Sequence, residues 1–313
     1  MKTLNEKAVG ATSLLSGAFV VSTFGVWTRF VAPMFSAAAQ ITGRCLLAAV
    51  LLAGIVAINR KKHIVFRGYT KQQYFGVVVL GVLTSALALL FTFSVTTTKV
   101  GNTSSLIYAG SILTSFFVGV FLLREKTSVL KVGAVLMALG GLAMYGSGLL
   151  GLSIGIVAGL GAGICDGASN VVRRQLRGVD RNMVIICQYA IAGICTVPML
   201  FVGSGDAIKT VSIGAIVAMV MFTLASLAFS GLLLRGFSNF DVNAGGVILA
   251  MQIFFGMLLG YLLFHEVPTG NELFGSMLIF LAVVVAMSSE SKIFSRIRKK
   301  QMNVAVAKAT DSV

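Results

Sequence analysis

The chain has 313 residues, of which 57% are hydrophobic and 11% charged, and its 25 Lys+Arg against 10 Asp+Glu give a net charge of +15. A soluble domain carries roughly a quarter charged residues and more polar surface, so a typical soluble enzyme and a disordered chain are both excluded. What remains is a polytopic membrane protein, unless the basic balance marks a nucleic-acid binder; the positions of the charges decide between them.

In chain order, Lys2 and Lys7 precede an apolar run over 8–29, which carries Trp27 near its far end. This run is long for a signal-peptide core and long enough to span a bilayer, so a span is expected despite the small residues Ser36 to Ala39 that follow. The second run, 36–58, contains Gln40 and Arg44. The third covers 74–96 and the fourth 103–123, where Ser104, Tyr108, Ser111 and Ser115 share one helical face. The fifth run, 128–147, meets the sixth, 150–172, at a junction with glycines but no charge. The sixth carries the segment Gly161 to Gly167, with Asp166 inside it and Asn170 one turn later. Runs over 183–202 with Gln188, 212–233, 243–264 with Gln252, and 271–288 complete the set, ahead of a basic tail over 290–313. Apolar runs in lipid must satisfy their own backbone groups, so each is expected to be a helix. The predicted fold class is an all-α polytopic membrane protein.

Counting alternate loops with the N-terminus inside, only Arg29, Lys99 and Lys209 of the 25 basic residues fall outside, and Arg44 lies within a span. That asymmetry predicts cytoplasmic N- and C-termini in a plasma (inner) membrane. It accounts for the net charge without nucleic acid. Cys45, Cys165, Cys187 and Cys195 all lie in apolar runs without CxxC spacing and are expected to be packing residues.

The halves align weakly but in order. A shift of 141 sets Asn102 on Asn243, Ile107 on Ile248, Ile112 on Ile253, Gly119 on Gly260 and Glu125 on Glu266; near the start of each half a shift of 144 sets Gly17-Ala18 on Gly161-Ala162. Five spans per half is odd, so the second half enters from the opposite side. Ten transmembrane helices in two inverted five-helix repeats, 8–147 and 150–289, are therefore expected. Such repeats place a substrate near the midplane between the halves.

One helix ends in Leu122-Leu123-Arg124-Glu125 and is followed by Gly133; another ends in Leu263-Phe264-His265-Glu266 and is followed by Gly275. With Trp27 in the first helix and Arg44 in the second, the chain resembles an EamA-type member of the drug/metabolite transporter superfamily over about residues 8–289. Family members often have proline where this chain has Ile112 and Ile253. The resemblance implies export or exchange of small metabolites without ATP hydrolysis.

Polar residues inside a membrane are costly and mark functional candidates. Arg44 fits recognition of a carboxylate through its planar fork, or a structural bond to backbone carbonyls. Asp166 fits proton transfer or an amine contact, or an ion pair with the arginines that follow it. The expected substrate-binding set is Trp27, Gln40, Arg44, Tyr108, Ser111, Asp166, Asn170, Gln188 and Gln252. Glu125 and Glu266 are expected to be structural, and His63 and His265 solvated. No phosphate-binding loop or metal-ligand spacing is present, so no cofactor and no enzymatic activity are expected. Expected partners are a small-molecule substrate, membrane lipid and, depending on the driving force, protons; a homodimer is left open. The function expected is secondary transport of amino acids or related amines by alternating access. A multidrug or nucleotide-sugar-like carrier, and after it a receptor, are the alternatives.

Overall fold

A computed structural model describes residues 2–31, 33–58, 69–97, 100–122, 124, 128–145, 154–201, 212–265, 267–271 and 273–285. Glu125, Glu266, His63 and the basic tail lie outside the described residues, as do the side chains of Asn102, Ser104 and Asn243. Among the described residues the chain is helical throughout. The helices are α1 (Lys2–Ser22), α2 (Phe24–Val31), α3 (Ala37–Ile58), α4 (Lys71–Thr97), α5 (Val100–Phe121) and α6 (Val129–Tyr145), then α7 (Ile154–Gln175), α8 (Arg181–Thr196), α9 (Ile213–Asn239), α10 (Val242–Leu249), α11 (Met251–Phe264) and α12 (Leu273–Val285).

Among the described residues seven helical segments are long and apolar enough to cross a membrane, and Leu106–Phe121, Val129–Met144 and Leu273–Val285 are shorter apolar helices. Large side chains such as Val50, Phe75, Phe117, Leu136, Ile216 and Met277 are exposed, as expected where lipid replaces water as the surrounding solvent.

Small polar residues start the helices. Thr70 and Gln73 form a reciprocal capping box before α4, with Gln73 N to Thr70 Oγ1 at 3.3 Å and Thr70 N to Gln73 Oε1 at 2.9 Å. Ser36 accepts from Ala39 N, Ser128 from Lys131 N, Asp180 from Met183 N and Ser212 from Ala215 N. α11 ends at His265, an exposed residue in the left-handed region at φ 54.

Two of the predicted runs are interrupted. The first breaks at Thr23, whose hydroxyl donates to Val20 O at 2.6 Å, and the ninth breaks at Ala250. A hydroxyl bonded three residues back competes with the regular ladder and bends a helix.

Packing repeats between the halves. α4 lies along α7, and α1, the counterpart of α7, lies along α9, the counterpart of α4; α3 and its own counterpart α8 pack directly. The most intimate seam joins α5 and α7. A Cβ on Gly163 would strike Ile107 O, one on Gly167 would sit 2.7 Å from Ser111 O, and one on Gly110 2.9 Å from Leu160 O. Gly159, Gly163 and Gly167, four apart, present a flat stripe that lets the backbones touch. The Gly161–Gly167 segment thus serves tight packing.

Candidate functional site

The α5–α7 seam carries the main polar constellation. Asp166 is half-buried on α7 and accepts from Ser111 Oγ at 2.6 Å, directly across the seam. The glycines on either side of Asp166 bring α5 this close, so packing and polar geometry have one cause. Asn170, fully buried one turn on, extends Nδ2 to the same Asp166 Oδ2 at 3.5 Å and accepts from Arg173 Nη1 at 2.6 Å through Oδ1. Asp166 Oδ1 has no hydrogen-bond partner among the described residues. Tyr108, on the face of α5 shared with Ser111, lies within electrostatic range of both Asp166 and Arg173.

Arg173 is not in the expected binding set; the sequence places it among the cytoplasmic arginines that follow Asp166. It is only 4% exposed, well inside the bundle. Its position two residues before the exposed end of α7 resembles a loop charge. Only the 3.6-residue spacing from Asp166 through Asn170 could have indicated an inward face. Lys131 is a second such case, 1% exposed at its side chain on α6 and paired with Asp241 Oδ2 at 2.7 Å. Arg174 joins that group, with Nη1 donating to the Phe237 and Phe240 carbonyls and Nη2 3.8 Å from Asp241 Oδ1. This charged knot ties α6, α7, α9 and α10 at one end of the bundle.

Arg44 sits among aromatic rings. Its guanidinium carbon lies 4.2 Å from the Phe222 ring centroid and 5.7 Å from that of Phe24. Phe24 meets Phe222 edge-on at 5.1 Å. Cation–π attraction holds the charge where water is scarce. Arg44 Nε is buried without a hydrogen-bond partner. Tyr189 on α8 donates to Ser226 O at 2.8 Å, bonds Ser230 Oγ at 2.9 Å, and lies within electrostatic range of Arg44 and Arg173 alike. Phe24, Phe222 and Tyr189 are additions that no local pattern singled out.

The remaining sequence candidates are spread out. Gln188, 1% exposed on α8, donates to Thr84 Oγ1 at 3.0 Å, while its Oε1 has no partner. Gln252 Oε1 on α11 is likewise buried and unpartnered. Gln40 donates to Phe35 O at 3.0 Å, and Trp27 packs with Phe35 against Val31, Ala218 and Met219. Both therefore lie toward the end of the bundle opposite the charged knot. A separate recess of about 430 Å³ lies at the α7–α8 turn, lined by Tyr69, Arg177, Asp180 and Arg181, and shares no residue with these groups. All four cysteines are free thiols. Among the described residues no group of His, Cys, Asp or Glu could hold a metal ion.

A bundle of apolar helices with buried polar groups on its internal seams defines a polytopic membrane protein. The EamA-like transporter family matches residues 8–147 and again 153–288, so the chain belongs to that family, within the drug/metabolite transporter superfamily. A solved structure described as "Crystal structure of protein" superposes with a TM-score of 0.73 at 17% identity, covering 92% of this chain and 98% of that one, and so shares the fold. A comparison with curated proteins finds no match.

Proposed function

We propose that the chain is a secondary active transporter, an exporter or exchanger of small metabolites bearing a carboxylate and an amine, such as amino acids or related amines. In this reading ten helices cross the plasma membrane as two inverted sets of five, both termini are cytoplasmic, and the halves rock around a central path. The chain carries out no covalent chemistry. The observation that supports the reading best is Asp166, a half-buried carboxylate in a membrane helix, held by Ser111 yet with Oδ1 unpartnered. A carboxylate is retained in such a place when it meets a cation or a proton in the course of work. Arg44, with an unpartnered Nε against Phe24 and Phe222, supplies the complementary group for a carboxylate.

The test is flux into sealed vesicles of purified protein, with labelled amino acids, amines and sugars, with and without a pH gradient. Wild-type protein should move amino acids or amines, and Arg44→Gln and Asp166→Asn should each reduce that flux at least tenfold while remaining folded. Full transport by both variants would overturn the assignment of these residues.

A further inference from the structure

We infer that Arg173 is a second anion-binding residue, and that the path therefore selects metabolites of net negative charge; this deepens the transport reading and rests on it. The argument begins with unused donors. A guanidinium has five N–H donors. Among the described residues Arg173 is engaged through Nη1 alone, by Asn170 Oδ1, and Nε is buried with no partner. Nη2 has no partner among the described residues either. The free edge is thus the Nε–Nη2 side, whose two parallel N–H groups match the two oxygens of a carboxylate.

The nearest carboxylate of the protein does not fill this edge. Asp166 acts on Arg173 at a distance, but among the described residues no hydrogen bond joins them; Asn170 stands between the two charges and bonds each. A desolvated cation with a single neutral hydrogen bond is costly, and an anion is what completes it. Asn170 fixes Nη1 and so aims the free edge, leaving Asp166 Oδ1 for an amine.

The charge balance points the same way. Arg44 and Arg173 are both within electrostatic range of Tyr189, and among the described residues Asp166 is the carboxylate within range of Arg173. A zwitterion would leave one guanidinium uncompensated. A substrate with one more acidic group, of the acidic amino acid class, would neutralise the set.

The experiment uses the full chain and L-glutamate, L-alanine and L-lysine as probes, in vesicle flux and in thermal stabilisation of the purified protein. Glutamate should raise the melting temperature and be preferred in flux. Arg173→Gln should lose about tenfold or more of glutamate affinity, the scale of one charge-assisted hydrogen bond, and with it the preference over alanine. Arg173→Lys should retain part. Should Arg173→Gln fail to fold, Asn170→Asp serves instead: it gives the guanidinium an internal carboxylate and should abolish the glutamate preference. A wild-type preference for alanine or lysine, or a glutamate-to-alanine ratio unchanged by the foldable variants, overturns the inference while flux itself upholds the transport reading. Stabilisation by glutamate that depends on Arg173, without flux of any probe, upholds the site and overturns transport. Neither flux nor stabilisation overturns both.

Discussion

Replacing Gly167 by alanine adds one methyl group at a tight point of the α5–α7 seam. Its Cβ would stand 2.7 Å from Ser111 O and 2.7 Å from Thr114 Cβ. The first of these is backbone, which cannot swing aside, so the helices must separate by about 0.5 Å or more to restore ordinary contact. The same movement stretches the 2.6 Å bond from Ser111 Oγ to Asp166 to about 3.1 Å, past the favourable range for a hydroxyl on a carboxylate. Overpacking costs about 1 to 3 kcal/mol and the weakened bond about 1, against a gain of about 1 from replacing glycine in a helix. The net expectation is a loss of about 1 to 3 kcal/mol. Gly256→Ala is the control: its Cβ meets nothing within 4 Å, so it should be neutral or stabilise by about 0.5 to 1 kcal/mol. The assay is unfolding of both variants in detergent, paired with vesicle flux. Gly167→Ala as stable as Gly256→Ala would refute the close approach of α5 and α7 and the placement of Ser111 on Asp166.

Other expectations follow from the same contacts. Lys131→Met leaves Asp241 without its 2.7 Å partner and should cost about 3 kcal/mol, the low end for a broken buried pair because Asp241 is 22% exposed at its side chain; unfolding in detergent measures it, and adding Asp241→Asn should recover part of the loss. Tyr189→Phe removes two hydrogen bonds from α8 to α9 and should cost about 1 to 2 kcal/mol, measured in the same way. Phe222→Leu removes the ring 4.2 Å from Arg44 and should reduce substrate affinity several-fold in vesicle flux, with folding retained.

Much of the bundle is visible in the chain before any coordinates. Apolar runs broken by charge locate the helices, while their caps at Thr70, Ser128, Asp180 and Ser212 emerge from the structure. Asp166, Ser111 and Asn170 stand out because a polar side chain in an apolar helix needs a partner, and these three do bond together. Arg173 was hidden by its company: Arg174, Arg177 and Arg181 follow it, and a run of arginines at a helix end looks solvated. What buries it is the packing around α7, which no local pattern encodes. The ring of Phe222 over Arg44 is equally long-range, since the two are far apart in sequence. The breaks at Thr23 and Ala250 depend on local hydrogen bonds too subtle for composition to reveal.

The charged knot has a consequence for how the protein is made. Lys131 belongs to the first repeat and Asp241 to the second, so during synthesis the lysine precedes its counter-ion by more than a hundred residues. Until α10 arrives, α1 to α6 hold this lysine without its 2.7 Å contact to Asp241. Arg174 waits likewise for the carbonyls of Phe237 and Phe240. The contacts that fasten this end of the bundle therefore form only once the second repeat is present. Residues from α9 and the start of α10 supply the partners that join α6 and α7 there.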